Sequence, residues 1–278
     1  MRKQRRGPRG RDRGSGGGDR PPHQPQQRAD GARLARRADP NLALLYGFHP
    51  VREALRTGRR TLLRLYATEE AADRLVAEIA AARVPVTRVS AQELSARLGG
   101  EAVHQGALLE ASALEAGDIS DLEQSRGIVL VLDQVTDPHN FGAIVRTAAA
   151  FGLEALITTQ RHAPQVSGVL AKAASGGLEH VPLIHVTNLA RALDRLGDYG
   201  FLRVGLDSAA PISLDALSVA TPLALVLGAE GQGLRRLTRE KCDSLAKLDM
   251  PGPIKSLNVS NACAIALALV TRALKSAG

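Results

Sequence analysis

The chain has 278 residues, 44% hydrophobic and 23% charged, with a formal net charge of +8. That length holds one large domain or two ordinary ones, no apolar run reaches the ~20 residues of a membrane span, and the N-terminus lacks a signal-peptide core. Two cysteines, Cys242 and Cys263, form neither a disulfide framework nor a metal cluster, and they read as reduced thiols of a cytoplasmic protein.

The charge is unevenly placed. Residues 1–38 carry twelve Lys/Arg against three Asp, so the basic excess belongs entirely to the start of the chain. Gly, Pro, Gln and Arg there leave almost nothing to bury, so residues 1–40 are expected to be a disordered basic tail. Its functional reading is an electrostatic arm for RNA; the competing readings are a solvated tail or a transit peptide, whose amphipathic apolar face it lacks.

From 41 to 113 the pattern is that of a small α/β domain. "LLYGFHPVREALRTG" (44–58) reads as strand, turn and amphipathic helix, and "TLLRLYAT" (61–68) as a strand. Residues 69–83 read as one helix with Leu75, Val76 and Ile79 on its apolar stripe. "VPVTRVS" is a strand, "AQELSARLG" a helix started by Ser90, and "GALLEAS" (106–112) a closing strand. Residues 114–126 look like a linker. From 127 to 278 apolar runs at 127–133, 155–159, 181–186, 201–207, 222–228 and 245–250 alternate with helical stretches. Such runs are typical of strands buried on both faces, so a mostly parallel sheet between helices is expected.

Ligands of open parallel sheets sit beyond the C-terminal ends of the strands, and three such ends are unusually polar or glycine-rich. In "DQVTDPHNFGAIVRTAAAFG" (133–152), Asn140 stands where a helix begins and Arg146 lies along it; a cap and an ordinary exposed residue explain each one alone. His139 is a tempting base, though a loop histidine beside a cap is more often structural. In "LALVLGAEGQGL" (223–234), Gly228, Gly231 and Gly233 follow neither the dinucleotide fingerprint nor the P-loop. They suit either a tight turn or close approach to a ligand, and Glu230 should be exposed. In "PGPIKSLNVSNACAIALALV" (251–270), an all-apolar helix from Ala262 to Val270, buried on most faces, follows a crowd of polar residues. Either Asn258 or Ser260 can cap it. Ser256 and Asn258, one residue apart in an extended loop, can then point the same way.

Together, "NFGAIVRTAAAFG", "LVLGAEGQGL" and "LDMPGPIKSLNVSNACAIAL" resemble, in order, the three motifs of the SpoU/TrmH family, RNA ribose 2′-O-methyltransferases of the SPOUT class. "YGFHPVREAL", "VHQGALLEA", "VTDPHN", "VPLIHVTNLAR" and "RRLTREKCD" are similar to its branch acting on guanosine of large-subunit (23S) ribosomal RNA. The resemblance covers about residues 44–275. It implies a C-terminal domain with a trefoil knot, a small N-terminal RNA-binding domain, a homodimer built around the knot, S-adenosylmethionine as cofactor and no metal. Asn140, Arg146, Glu230, Ser256 and Asn258 fall on the family's active-site positions. Leu227, Gly228, Gly231, Leu248, Met250 and Leu257 fall on positions that hold the cofactor, with Gly228, Leu248 and Leu257 acting mainly through backbone groups. Asp249 departs from the family's usual proline. Three Tyr, four Phe and no Trp argue against a base-stacking platform. Transfer RNA is the alternative substrate. A catalytically silent RNA-binding protein would have lost this residue set, and a dinucleotide oxidoreductase would need the missing fingerprint.

Overall fold

The computed structural model describes residues 41–100, 102–164 and 166–277; the segment 1–40, with the disorder expected of it, lies outside the described residues. β1 (Leu42–Tyr46), α1 (Phe48–Thr57), β2 (Leu62–Ala67), α2 (Glu69–Arg74), α3 (Val76–Ala82), β3 (Val86–Arg88), α4 (Ala91–Leu98) and β4 (Ala107–Ser112) come first. Their strands form one sheet in the order β1-β4-β2-β3. The start of α4 follows from its sequence. Ser90 Oγ accepts from the Glu93 N–H and the Glu93 carboxylate accepts from the Ser90 N–H, a reciprocal capping box. The single helix expected over 69–83 is two. At Leu75 (φ −106°, ψ 9°) the backbone leaves helical geometry and its N–H is shared between the Ala71 and Ala72 carbonyls. Leu75 is thereby fully buried, while Val76, expected on the apolar stripe, is 64% exposed.

The stretch expected as a linker is seated on the body of the protein. Gly117 donates to the Leu183 carbonyl, and the 3₁₀ turn Ile119–Leu122, boxed by Asp118 and Asp121, buries Leu122.

β5 (Ile128–Asp133), α5 (Pro138–Ala150), β6 (Ala155–Thr159), α6 (Gly168–Ala174), β7 (Leu183–Val186), α7 (Leu189–Asp198), β8 (Leu202–Leu206), β9 (Ile212–Ser213), β10 (Leu223–Gly228), α8 (Arg236–Glu240), β11 (Ser244–Lys247) and α9 (Val259–Ala277) follow. Their strands make a seven-stranded sheet, β7-β6-β5-β10-β8-β11-β9, in which every pair is parallel. β5 shows why its strands read as unbroken apolar runs. Leu130 and Leu132 face the core under α5, α6 and α9, while Val129 and Val131 face the one under α7. The last expected strand, 245–250, ends at Lys247, and the two-residue β9 has no signal of its own.

The two sheets are joined by a buried ion pair. Arg60 Nε lies 2.9 and 3.0 Å from the two Glu179 carboxylate oxygens, its Nη1 donates to the Ser112 carbonyl, and Arg59 donates to the Glu179 carbonyl. Burial pushes the Glu179 carboxyl above its usual range, with Arg60 opposing.

α9 differs from expectation. By length and mean hydropathy (1.2 over Val259–Ser276) it could cross a membrane. One face, carrying Cys263, Ala266, Leu267 and Val270, is instead packed into the core. Ile265, 43% exposed, and Ala268 face outward. The helix is therefore buried on one side within its own chain, not on most faces. An unbroken apolar run reports a tendency to be covered without saying what covers it.

Candidate active site

The strand order reverses between β5 and β10, which places the crevice for a ligand at their C-terminal ends. There Asp133, fully buried, accepts from both the N–H and the Nε of Arg235, at 3.0 and 2.6 Å. Gln134 then turns the chain with φ 64°, a left-handed conformation uncommon for a residue with a side chain. α5 starts four residues later, and its cap is not Asn140. Asp137 takes that role, its carboxylate accepting from the Asn140 N–H at 2.8 Å with Pro138 in the first turn. The Asn140 side chain is thus released from capping.

β10 ends in the glycine loop. A Cβ on Gly228 would lie 2.1 Å from the Gly233 carbonyl carbon, and the Gly233 N–H donates to the Ala229 carbonyl. The loop folds back on its own strand, and Gly231 (φ 79°) and Gly233 (φ 65°) make the bend. The glycines therefore serve a tight turn. That turn leaves Glu230 exposed, as expected.

The third segment supplies the link. Asn258 Oδ1 accepts from the Ser260 N–H at 2.9 Å and from Ser260 Oγ at 2.6 Å, so Asn258 caps α9 and Ser260 does not. The backbone N–H fixes which end of the amide is oxygen. Nδ2 must then point the other way, and it donates to Asn140 Oδ1 at 2.9 Å, with Glu230 Oε2 at the 3.5 Å outer limit of a hydrogen bond. One side chain both starts the helix and joins the three motifs. Asn140 Nδ2 has no partner among the described residues and remains a donor for a ligand.

A cleft of about 180 Å³ opens beside this cluster. All six residues expected to hold the cofactor line it, Leu227, Gly228, Gly231, Leu248, Met250 and Leu257, together with Glu230 and Ser256. Its enclosed volume is below the ~300–1,000 Å³ of typical ligand pockets, and residues 251–257 are exposed at its rim, held back by Lys255 Nζ donating to the Met250 carbonyl at 2.5 Å. Apolar walls with polar and charged groups among them suit a ligand that has both an apolar part and charged groups. Leu206, Asp207 and Ser208, at the end of β8, also line it and were not singled out from sequence. Their signal was positional, since β8 lies next to β10 in the sheet.

Arg146 stands apart. It is exposed on α5 and, among the described residues, makes no hydrogen bond or ion pair, to the other four or to any other group. His139 is likewise exposed, in the first turn of α5. The thiols are remote from such chemistry, as burial pushes Cys242 and Cys263 up to about 12. Among the described residues no group of three or more His, Cys, Asp or Glu could hold a metal ion.

Known proteins resemble this chain in sequence and in fold. The profile of the SpoU rRNA methylase family matches residues 127–268, and that of the RNA 2′-O ribose methyltransferase substrate-binding domain matches residues 44–116. The 23S rRNA (guanosine-2′-O-)-methyltransferase RlmB of Yersinia pestis is 40% identical over 238 residues, covering 82% of this chain and 96% of that protein. RlmB of Pseudomonas aeruginosa is also 40% identical, covering 82% and 95%. In fold, the SpoU methyltransferase AviRb of Streptomyces viridochromogenes, solved with AdoMet, superposes with a TM-score of 0.73 at 21% identity, covering 88% of this chain and 98% of that one. The AdoMet-bound rRNA methyltransferase of Sinorhizobium meliloti gives 0.74 at 22% identity, covering 87% and 93%. With the matched profile spanning half the chain and curated relatives 40% identical along most of it, this chain belongs to the SpoU rRNA methylase family.

Proposed function

We propose that the protein transfers a methyl group from S-adenosylmethionine to the ribose 2′-hydroxyl of a guanosine in 23S ribosomal RNA. The observation that carries this reading is the Asn258–Asn140 hydrogen bond, which fixes the three motifs at the mouth of a cleft lined by all six expected cofactor residues. The activity of the RlmB relatives supplies the substrate.

Bound in the cleft between Leu227, Gly228, Leu248, Met250 and Leu257, S-adenosylmethionine supplies an electrophilic methyl on a sulfonium whose positive charge vanishes on transfer. The chain's own part is to place the acceptor. Asn140, oriented through Asn258, offers Nδ2 to a ribose oxygen, and Ser256 or a water takes the proton. Holding the reactants in line contributes about 7–11 kcal/mol, against ~10²–10⁴-fold for a base, so positioning is the larger effect. A guanidinium, with a pKa above ~12, is a poor base. Arg146 therefore clamps the neighbouring phosphate and steadies the developing oxyanion, and we assign it to the site of a partner subunit. The exposed Arg146 and the uncovered Ile265 and Ala268 on α9 support a homodimer. The knotted path of the C-terminal segment belongs to the same reading.

The test is to incubate the purified chain with methyl-labelled S-adenosylmethionine and, in parallel, large-subunit RNA or transfer RNA from a strain lacking the gene. Label recovered in 2′-O-methylguanosine after nuclease digestion is the expected result. Label on a base, or in transfer RNA alone, overturns it.

A further inference from the structure

A groove of about 840 Å³, larger than the cofactor cleft, lies where β6 and β7 end, walled on its far side by Arg235 and the first residues of α8, Arg236–Thr238. The sheet order puts β5 between the two hollows, with β6 and β7 on one side and β10, β8 and β11 on the other. Arg235, held by Asp133 at the end of β5, brings the groove to the strand from which the loop to Asn140 departs. Arg161, Arg235 and Arg236 line the groove, and among the described residues no Asp or Glu does.

The three arginines are held differently. Arg235 is anchored from beneath by the buried Asp133, which fixes its backbone and its Nε and leaves the side chain 42% exposed. Arg236 pairs at 2.6 Å with Glu240, both well exposed, an ion pair of little worth in water that a phosphate can displace. Arg161 has no partner among the described residues. Asn188 and the threonines of the lining add neutral polar groups, and its one aromatic ring is the His162 imidazole, hydrogen-bonded to Thr159. Guanidinium groups without aromatic platforms suit phosphates and sugars better than bases.

We propose that this groove binds the sugar–phosphate backbone of the RNA strand flanking the methylated nucleotide, with Arg161 and Arg236 on successive phosphates and Arg235 as the fixed post between groove and active site. The proposal rests on the RNA methyltransferase reading, and it adds a second substrate-contacting surface to that of the small N-terminal sheet. A strand leaving a ribose seated at Asn140, with the methyl donor on the β10 side, has the groove on its other side.

The test uses the full chain and a labelled single-stranded oligouridylate, with affinity read by anisotropy across a salt series. The variant is the double charge reversal Arg161→Glu with Arg236→Glu. The control is Arg126→Glu, another exposed arginine, just before β5 and at the opposite end of the sheet. The double variant should weaken binding at least ~10-fold and lower the log–log salt slope by about 0.7 for each phosphate it no longer neutralises, while melting like wild type and binding S-adenosylmethionine normally. The control should change affinity less than about two-fold by the same counterion argument. Equal affinity and slope in double variant and control overturn the proposal. Methylation of large-subunit RNA is measured separately. If the wild type binds RNA through the groove but methylates nothing, the activity reading fails and the groove stands; if it methylates and the double variant keeps KM and salt slope, the groove is wrong and the activity stands.

Discussion

Asn258 is the residue on which the local argument converges, because its two ends do different work. Its oxygen starts α9 and its nitrogen reaches Asn140. Alanine removes both; aspartate keeps the capping oxygen and loses the donor. Asn258→Ala should therefore lose about 1 kcal/mol from the cap as well as methyl transfer. Asn258→Asp should melt close to wild type and still lose ~10²-fold or more in single-turnover rate, the scale of one misplaced oriented donor. Wild-type turnover by the aspartate variant would reduce Asn258 to a cap. The sequence showed that a cap was needed and that too many polar residues were present. It did not show that one residue serves both purposes, because the second partner lies 118 positions away. Asn140 misled in the opposite direction, a good cap by type whose place Asp137 had taken.

Among the elements, the strands were the legible part. β5, β6 and β10 are buried on both faces, so they read as apolar runs whose polar residues, Asp133, Thr158 and Thr159, come only at their C-terminal ends. Leu75 shows the limit, since nothing in a helical stripe marks the residue at which the axis bends to bury it. β8 and β11 carry an electrostatic tie of their own. Arg203 donates to Asp243 through its N–H and Nε, at 2.8 and 3.0 Å. That hydrogen-bonded guanidinium holds the Asp243 carboxyl below its ordinary value. A depressed folded pKa contributes stability above the unfolded value of about 3.9, and the contribution fades as pH falls through the folded value. Asp243→Asn should lower the melting temperature modestly at neutral pH, the pair being partly exposed, and the gap from wild type should close in acid below about pH 4. A gap that stays constant down to acid pH would assign the loss to packing.

For the whole molecule, the Arg60–Glu179 pair decides whether the two sheets behave as one body. Both side chains are almost fully buried, so removing one leaves a stranded charge. Glu179→Gln should cost about 3–5 kcal/mol, and the double change Arg60→Met with Glu179→Leu should recover part of it. Calorimetry showing no loss in the single variant would mean that the pair does not couple the sheets. The assembly has its own test. Arg146→Ala and Asn258→Ala, each inactive, should regain up to half of wild-type activity when co-expressed and purified as a mixed dimer, if each site draws Arg146 from the other chain. A dead mixed dimer beside an active wild-type control would keep Arg146 within its own subunit. No periodicity could have revealed either coupling, since residues 60 and 179, or 140 and 258, meet only once the topology is complete.

The position of β10 also sets a clock. Its neighbours in the sheet, β5 and β8, are both made before it, so a nascent chain carries the part-sheet β7-β6-β5 with a raw inner edge, and β8 with no partner strand, until Leu223–Gly228 leaves the ribosome. At about 5–20 residues per second, roughly 5–20 s separate the end of β5 from the end of the strand that closes against it. Through that interval the first motif already exists as sequence and has no pocket to belong to. An enzyme that modifies ribosomal RNA is thus assembled last at its own centre, and the ribosome must read most of its message before any part of the site can form.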